Sequence, residues 1–159
     1  MSRKKSKVPN ALAHVPAHKQ VPFLSDSAGG SYAGMVFRWD PKFACLDHDK
    51  YGMEQVNHAE LWHEILRKLQ DFSTMTWQAI IDATGSRRAG NNNHTLDPDR
   101  DLTEEGRSAW LKQPEDLREM PLFSLHLTSR RRIIGFRQGY IFFPIWHDSS
   151  HSFTKTSKR

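Results

Sequence analysis

The chain is poor in cysteine and in long apolar segments. Its 159 residues include one cysteine, Cys45, which excludes an internal disulfide and fits the reducing cytoplasm. No window approaches the roughly 18 apolar residues of a membrane-spanning helix, so we expect a soluble protein without a membrane partner. The basic N-terminus lacks the apolar run that follows in a secretory signal. Walker loops, glycine-rich dinucleotide fingerprints and CxxC pairs are also missing from the sequence.

Apolar residues make up only 37% of the chain, which is too little to fill a core along its whole length. Residues 1–30 are rich in Lys, Pro, Ser, Ala and Gly and have no sustained apolar period. This composition predicts a disordered basic arm. We expect residues 31–153 to form a single domain and residues 154–159 to form a basic tail.

Charge is unevenly distributed along the chain. Residues 1–20 carry five Lys or Arg and no acid, and residues 128–159 carry seven against a single acid. The segment between them carries eleven basic and seventeen acidic residues. Basic segments attract phosphate backbones by releasing counterions. We therefore predict that Lys4 and Lys5 contact nucleic acid, with a merely solubilising arm as the alternative.

Capping residues and apolar periodicity predict an α-hairpin and a short third helix. Asn57 is a good N-cap, and Glu60 stands where it can complete a capping box, so the first helix is expected over 57–72. A second helix is expected over 74–83, and Thr103 caps a third of about two to three turns. An α-hairpin of this kind is suited to pack on one face of a sheet.

Residues 122–146 predict a three-stranded antiparallel meander. The first strand alternates apolar and polar residues, which is the period of a half-buried strand. Gln138-Gly139 is predicted as the tight turn between the second and third strands. That turn would pair Arg137 with Tyr140, Phe136 with Ile141, and Ile134 with Phe143. Pro144 cannot donate to the ladder, so either pairing ends there or a bulge resets the alternation.

These elements together predict an α+β domain. An antiparallel sheet with a C-terminal three-strand meander packs against an α-hairpin and a short third helix. A further short strand is expected over 35–39, and a very short edge strand over 94–96.

The predicted register separates a core face from an exposed face. The exposed face would carry Arg131, Ile133, Arg137, Tyr140 and Phe142, joined by Ser124 and His126 if the first strand pairs in phase. Arginine beside aromatic rings on an exposed sheet is a common way to hold phosphates and stack bases. We therefore predict a nucleic-acid interface formed by Arg130, Arg131, Arg137, Tyr140 and Phe142. The alternative is a surface cation–π ladder without a ligand.

The segment His147-Asp148-Ser-Ser-His151 offers two kinds of chemistry. A metal site would need a third or fourth ligand from elsewhere, so we predict no metal and no cofactor. RNA cleavage by the neighbouring 2′-hydroxyl needs a base, an acid and a cation for the phosphorane, without a metal. We predict His147, His151 and Arg132 as this catalytic set. The alternative is a strand end whose polar residues make turn hydrogen bonds.

The C-terminal stretch resembles the RelE/ParE-type toxin superfamily. In those small bacterial proteins an apolar strand is followed by an Arg-led strand, a tight turn, an apolar strand and a His-containing end. The matching stretch here is Leu122-Phe-Ser-Leu-His-Leu-Thr-Ser-Arg-Arg-Arg-Ile-Ile-Gly-Phe-Arg-Gln-Gly-Tyr-Ile-Phe-Phe-Pro-Ile-Trp-His. The ending Trp146-His-Asp-Ser-Ser-His151-Ser-Phe153 is also similar to that of a group of uncharacterised bacterial and phage proteins.

The resemblance implies metal-independent cleavage of mRNA on the ribosome, or gyrase inhibition in the ParE branch. It also implies an antitoxin-like protein partner. Carried over by position, the catalytic or RNA-contacting residues would be Arg131, Arg132, Arg137 and either His147 or His151. The leading hypothesis is a nucleic-acid-binding protein and, more specifically, a toxin-like ribonuclease. The alternative is a non-catalytic module that binds protein or nucleic acid, such as a phage or prophage accessory protein.

Overall fold

The computed structural model describes residues 32–83, 92–128 and 130–156. They contain a five-stranded sheet in the order β1-β5-β4-β3-β2. The strands are β1 (Arg38–Trp39), β2 (His94–Leu96), β3 (Leu122–His126), β4 (Arg132–Gln138) and β5 (Ile141–Asp148). All neighbours are antiparallel except β1, which runs parallel to β5. The predicted α+β class and the C-terminal meander are confirmed.

The helices follow the predicted order. Helix α1 spans residues 58–72, and its parts are α-helical over His58–Glu60, π-helical over Leu61–Leu66 and α-helical over Arg67–Phe72. The other helices are α2 (Trp77–Asp82), α3 (Glu104–Leu111) and α4 (Glu115–Arg118). Single 3-10 turns occupy Tyr32–Gly34, Pro41–Phe43 and Met53–Gln55. The short helix α4 was not predicted.

Side-chain caps explain where the helices begin. The Asn57 carboxamide oxygen accepts from the Glu60 backbone N at 2.9 Å, and the Glu60 carboxylate accepts from the Asn57 N at 3.4 Å. This is the predicted capping box. Thr76 caps α2 and Thr103 caps α3 through their hydroxyl oxygens, at 3.2 and 3.1 Å. Each cap satisfies a backbone donor that a helix start leaves unpaired.

Both faces of the sheet are covered. The α1 face packs against α1 and α2 through Phe123, Leu125, Ile133 and Phe142. The α3 face packs against α3, α4 and the C-terminal segment through Leu122, Ile134, Phe136, Phe143 and Trp146. Thr154, which was assigned to the basic tail, is buried and bridges to Leu102.

The prediction of an exposed sheet face is therefore wrong. Ile133 and Phe142 are fully buried, and Arg137 is only 4% exposed. The guanidinium of Arg137 stacks 3.6 Å from the ring centre of Tyr32 and donates to the Gly139 carbonyl oxygen at 2.8 Å. Cation–π stacking and a backbone acceptor allow this arginine to be buried, which alternation alone did not indicate.

The hairpin between β4 and β5 turns later than predicted. Its turn residues are Gly139, at φ +55°, and Tyr140. The three predicted pairs are wrong, because Gln138 pairs with Ile141 and the whole register shifts by two positions. The later turn lets the Tyr140 carbonyl oxygen accept from Trp77 Nε1 at 2.8 Å. A shift by two preserves the faces, so the four apolar residues assigned to one core face do share it.

A bulge in β5 decides where its last residues point. Gly135 pairs with Pro144, whereas Ile134 pairs with Trp146, so Ile145 is the extra residue. This is the second of the two outcomes anticipated at Pro144. A Cβ on Gly135 would lie 2.1 Å from the Phe143 carbonyl oxygen, so only glycine fits. Ile145 and Trp146 consequently both face the α3 side of the sheet.

Candidate functional site

Strand alternation separates the predicted catalytic residues. Cross-strand partners share a face, and Arg132 pairs with Asp148 while Ile133 pairs with His147. His147 therefore points to the α1 face, and Arg132 points to the α3 face. The structure brings Arg132 and His151 together but places His147 on the far side of the sheet.

His147 lies in an ion-paired cluster on the α1 face. Arg131 contacts the carboxylates of Glu60, at 3.0 Å, and Glu64. The imidazole of His147 is 5% exposed, and its Nε2 has no hydrogen-bond partner among the described residues. Burial lowers the pKa of His147, with Glu60 opposing and Arg131 adding to that effect. His147 is therefore buried next to this cluster and apart from Arg132 and His151, and the Arg131 guanidinium is engaged by two carboxylates.

The α3 face carries a different set at the same end of the sheet. His126, Arg132 and Asp148 are neighbours across β3, β4 and β5. His94 pairs with Ser124, two positions from His126 on the same face. His151, in the loop after β5, lies within electrostatic range of Arg132 and His94. We call His94, His126, Arg132 and His151 the rim.

Asn93 holds the β2 side of the rim in place. Its carboxamide is buried, accepts from the backbone N of His126 at 2.8 Å and donates to the Ile80 carbonyl oxygen at 2.9 Å. One side chain thus joins the start of β2, the end of β3 and helix α2. His94 is exposed, and the other three rim residues are half-buried, so the rim is open to solvent and yet supported from below.

Electrostatics favour an uncharged His151 beside a permanent cation. Burial lowers the pKa of the His151 imidazole, and the charge of Arg132 lowers it further. His94 and Arg130 act in the same direction, and Asp148 opposes them. Burial also lowers the pKa of Arg132, against the charge of Asp148, but a guanidinium remains protonated in proteins. A neutral imidazole can accept a proton, and a guanidinium can hold a phosphate.

The remaining predicted residues are scattered. Arg137 and Phe142 are buried at the other end of the sheet, and Tyr140 is 36% exposed in the hairpin turn. Arg130 is exposed next to the rim. Lys4 and Lys5 lie outside the described residues.

His94 was not predicted as a site residue, and His126 was expected, if the first strand paired in phase, on the face of Arg131 and Ile133, whereas it lies on the opposite face beside Arg132. Both residues lie in strands that the sequence predicted. A correct alignment of β3 with β4 would have placed His126 opposite Arg132. The predicted exposed face of β4 carries Ile133 and Arg137, which are buried, whereas Arg132 lies on the other face of the strand.

Within residues 32–83, 92–128 and 130–156, no three His, Cys, Asp or Glu side chains are arranged so that they could hold a metal ion. In the same ranges no helix has the length and apolar character needed to cross a membrane.

Comparison with protein-family models, with curated proteins and with solved structures found no match. The resemblance to the RelE/ParE-type toxins stays a prediction.

Proposed function

We propose that this protein binds RNA at the rim and cleaves it without a metal, through attack of a ribose 2′-hydroxyl on the adjacent phosphodiester. The observation that carries the proposal is the convergence of three imidazoles and the Arg132 guanidinium at one partly exposed end of the sheet. Two imidazoles and a cation supply the base, the acid and the phosphorane stabilisation that this reaction needs.

The proposal assigns roles to His151, to Arg132 and to one of the other two rim histidines. His151, whose pKa is lowered by burial and by Arg132, accepts the proton of the 2′-hydroxyl as its oxygen attacks phosphorus. His94 or His126, in protonated form, donates a proton to the departing 5′-oxygen. The products are a 2′,3′-cyclic phosphate and a 5′-hydroxyl, so atoms and charges balance. Arg132 stabilises the extra negative charge on the phosphoryl oxygens.

The narrower proposal is mRNA cleavage of the RelE kind, with the ribosome and an antitoxin-like protein as partners. It rests on the resemblance of residues 122–147 alone. Growth arrest on expression, relieved by His151→Asn, would support this narrower form.

The test uses consecutive arginines as a matched pair. Wild-type protein, Arg132→Ala and Arg131→Ala are incubated with a labelled single-stranded RNA in EDTA, and both binding and cleavage are measured. Loss of Arg132 should weaken binding and reduce cleavage about a hundredfold, whereas Arg131→Ala should do neither, because Glu60 and Glu64 already engage that side chain. An RNA with 2′-deoxy residues throughout should bind but remain intact.

The outcomes separate the two function classes. Binding that depends on Arg132 without any cleavage would indicate the non-catalytic nucleic-acid module. Equal effects of the two arginine variants, or no RNA binding by wild-type protein, would overturn the proposal.

A further inference from the structure

The loop that carries His151 is wrapped around one buried carboxylate. Asp148 is fully buried, and its Oδ1 accepts from the backbone N of Ser150 at 3.3 Å and of Ser152 at 3.0 Å. Its Oδ2 accepts from the Phe153 N at 2.9 Å. Three backbone donors on both sides of His151 thus converge on a single side chain.

His151 itself has a backbone conformation that needs such support. Its φ is +58°, in the left-handed region that residues with a side chain seldom occupy. Such conformations persist where the surroundings over-determine them. Here the determining contacts come from Asp148, because the hydrogen bonds of its carboxylate flank the strained residue.

The far end of the loop has further anchors besides Asp148. Phe153 is fully buried, with its ring centre 5.0 Å from that of Tyr51 and 4.9 Å from that of Trp146. Its carbonyl oxygen accepts from the Thr103 N at 3.0 Å. Within residues 149–152, Asp148 holds Ser150 and Ser152 through their backbone N atoms. Ser152 is also held by the Thr103 hydroxyl, which donates to its carbonyl oxygen at 2.8 Å, and by the Tyr51 hydroxyl, 3.3 Å from its Oγ. The Asp148 contacts are those that lie on both sides of His151.

We infer that Asp148 is a positioning residue that holds the His151 imidazole at the rim beside Arg132. This inference rests on the proposed function of the rim. Asp148 is the cross-strand partner of Arg132, so the loop that its carboxylate holds begins beside this cation. Its side chain is consumed by backbone donors and is buried, so it acts through His151 and does not contact the substrate.

Asp148 also affects the charge state of His151. Its negative charge raises the pKa of His151 against burial and against Arg132, His94 and Arg130, which lower it. Removing the charge should move the titration of His151 to lower pH. A carboxylate that did not lie close to His151 would leave that titration unchanged.

The experiment is an NMR titration of the His151 imidazole in the full chain, with Asp148→Asn compared to wild type. We expect the apparent pKa of His151 to fall and RNA cleavage at neutral pH to drop at least about tenfold. Asp97→Asn is the matched control, because Asp97 also accepts from loop donors, the backbone N of Asp99 at 2.9 Å and of Arg100 at 3.3 Å. Asp97 follows the last residue of β2, whereas His94 is its first residue. Asp97→Asn should therefore change neither the pKa of His151 nor the rate of RNA cleavage.

A second variant covers the case in which Asp148→Asn does not fold. Asp148→Glu keeps the charge but moves the carboxylate, so the loop should shift, cleavage should fall and the pKa of His151 should change less than in Asp148→Asn. An unchanged His151 titration and unchanged cleavage in the folded variants would overturn the inference. If wild-type protein neither binds nor cleaves RNA, the proposed function fails, and the titration still decides whether Asp148 positions His151.

Discussion

Arg131 and Arg132 are neighbours in the chain and have opposite surroundings. Arg131 reaches helix α1 and contacts Glu60 and Glu64 beside the buried His147. Arg132 lies on the α3 face, next to the half-buried His126 and His151. Both faces therefore combine arginine, histidine and carboxylate at the same end of one sheet.

What differs is where the carboxylates are placed. On the α1 face two carboxylates contact the arginine directly, which neutralises it and closes the cluster. On the α3 face the Asp148 carboxylate accepts from backbone donors. The Arg132 guanidinium donates to the Arg131 carbonyl oxygen at 3.1 Å, and it lies with the imidazoles at the partly exposed surface. The same residue types give a structural cluster in one case and a candidate site in the other, so the partners of each side chain decide its role.

Among the predicted changes, disruption of the bulge at Gly135 should have the largest effect, because the bulge decides which face of the sheet each residue after it occupies. Gly135→Ala would place a Cβ 2.1 Å from the Phe143 carbonyl oxygen and 2.8 Å from the Phe142 ring. We expect the free energy of unfolding to fall by about 3 kcal/mol, as for overpacked cores. Urea denaturation measures this change. Gly34→Ala is the control, since no atom lies within 4 Å of its added Cβ, and an equal loss in both variants would contradict this account of the bulge.

Replacing His147 should change how stability depends on pH. Because burial lowers its pKa in the folded state, the stability tied to neutral His147 is present above the unfolded pKa of about 6.5 and is lost as the pH falls through the folded value. His147→Phe should retain about 1–2 kcal/mol more stability than wild type near pH 5, relative to the difference at about pH 7.5. Urea denaturation at both pH values tests this. An equal change in the free energy of unfolding between the two pH values, in wild type and in His147→Phe, would show that His147 is not buried in its neutral form.

The two arginines should differ in what their removal changes. Arg131→Ala should lower the free energy of unfolding by about 1 kcal/mol, because two partly exposed carboxylates lose their cation. Arg132→Ala should have a smaller effect on stability and a larger one on RNA affinity. Thermal unfolding and RNA titration of both variants provide the measurement. If Arg131→Ala weakened RNA binding more and Arg132→Ala lowered stability more, the nucleic-acid site would lie on the α1 face and the structural cluster on the α3 face.

The basic arm should contribute the smallest effect, on affinity alone. Lys4 and Lys5 stand in a segment with no acid, so replacing both by Ala should weaken RNA binding only several-fold and for all sequences alike. The slope of log affinity against log salt should fall by about one to two. Repeating the comparison of Arg131→Ala and Arg132→Ala in the variant without Lys4 and Lys5 measures how much each sheet face contributes to RNA affinity. An unchanged slope would place the arm away from the nucleic acid.

The elements of the fold could be predicted because local signals fix them. Asn57 and Thr103 cap their helices. The apolar alternation correctly marks Phe123 and Leu125 in β3 and Ile134 and Phe136 in β4 as core residues, but the two pairs lie on opposite faces of the sheet, and both faces are buried. Burial of the α1 face could not be predicted, because it depends on where α1 and α2 pack. Arg137 shows this, because its guanidinium is buried against Tyr32, which is distant in the sequence, and donates to the Gly139 carbonyl oxygen in the hairpin turn.

The candidate site was predictable only in part. Arg132 and His151 were named from composition and motif, and both lie at the rim. The position of His147 depends on the extra residue in β5, and a change of one residue reverses the face of every side chain after it. His94 and His126 become relevant only when β2, β3 and β4 are aligned, which is a matter of long-range pairing.

The parallel pairing of β1 with β5 has a consequence for the order of synthesis. β5 lies between β1 and β4 in the sheet although it is the last strand to be made. The nascent chain therefore holds β1 without its partner until β5 leaves the ribosome, and pairing between such distant segments is slow to form. Because the loop bearing His151 follows β5, the candidate site can assemble only after translation of the whole sheet is complete.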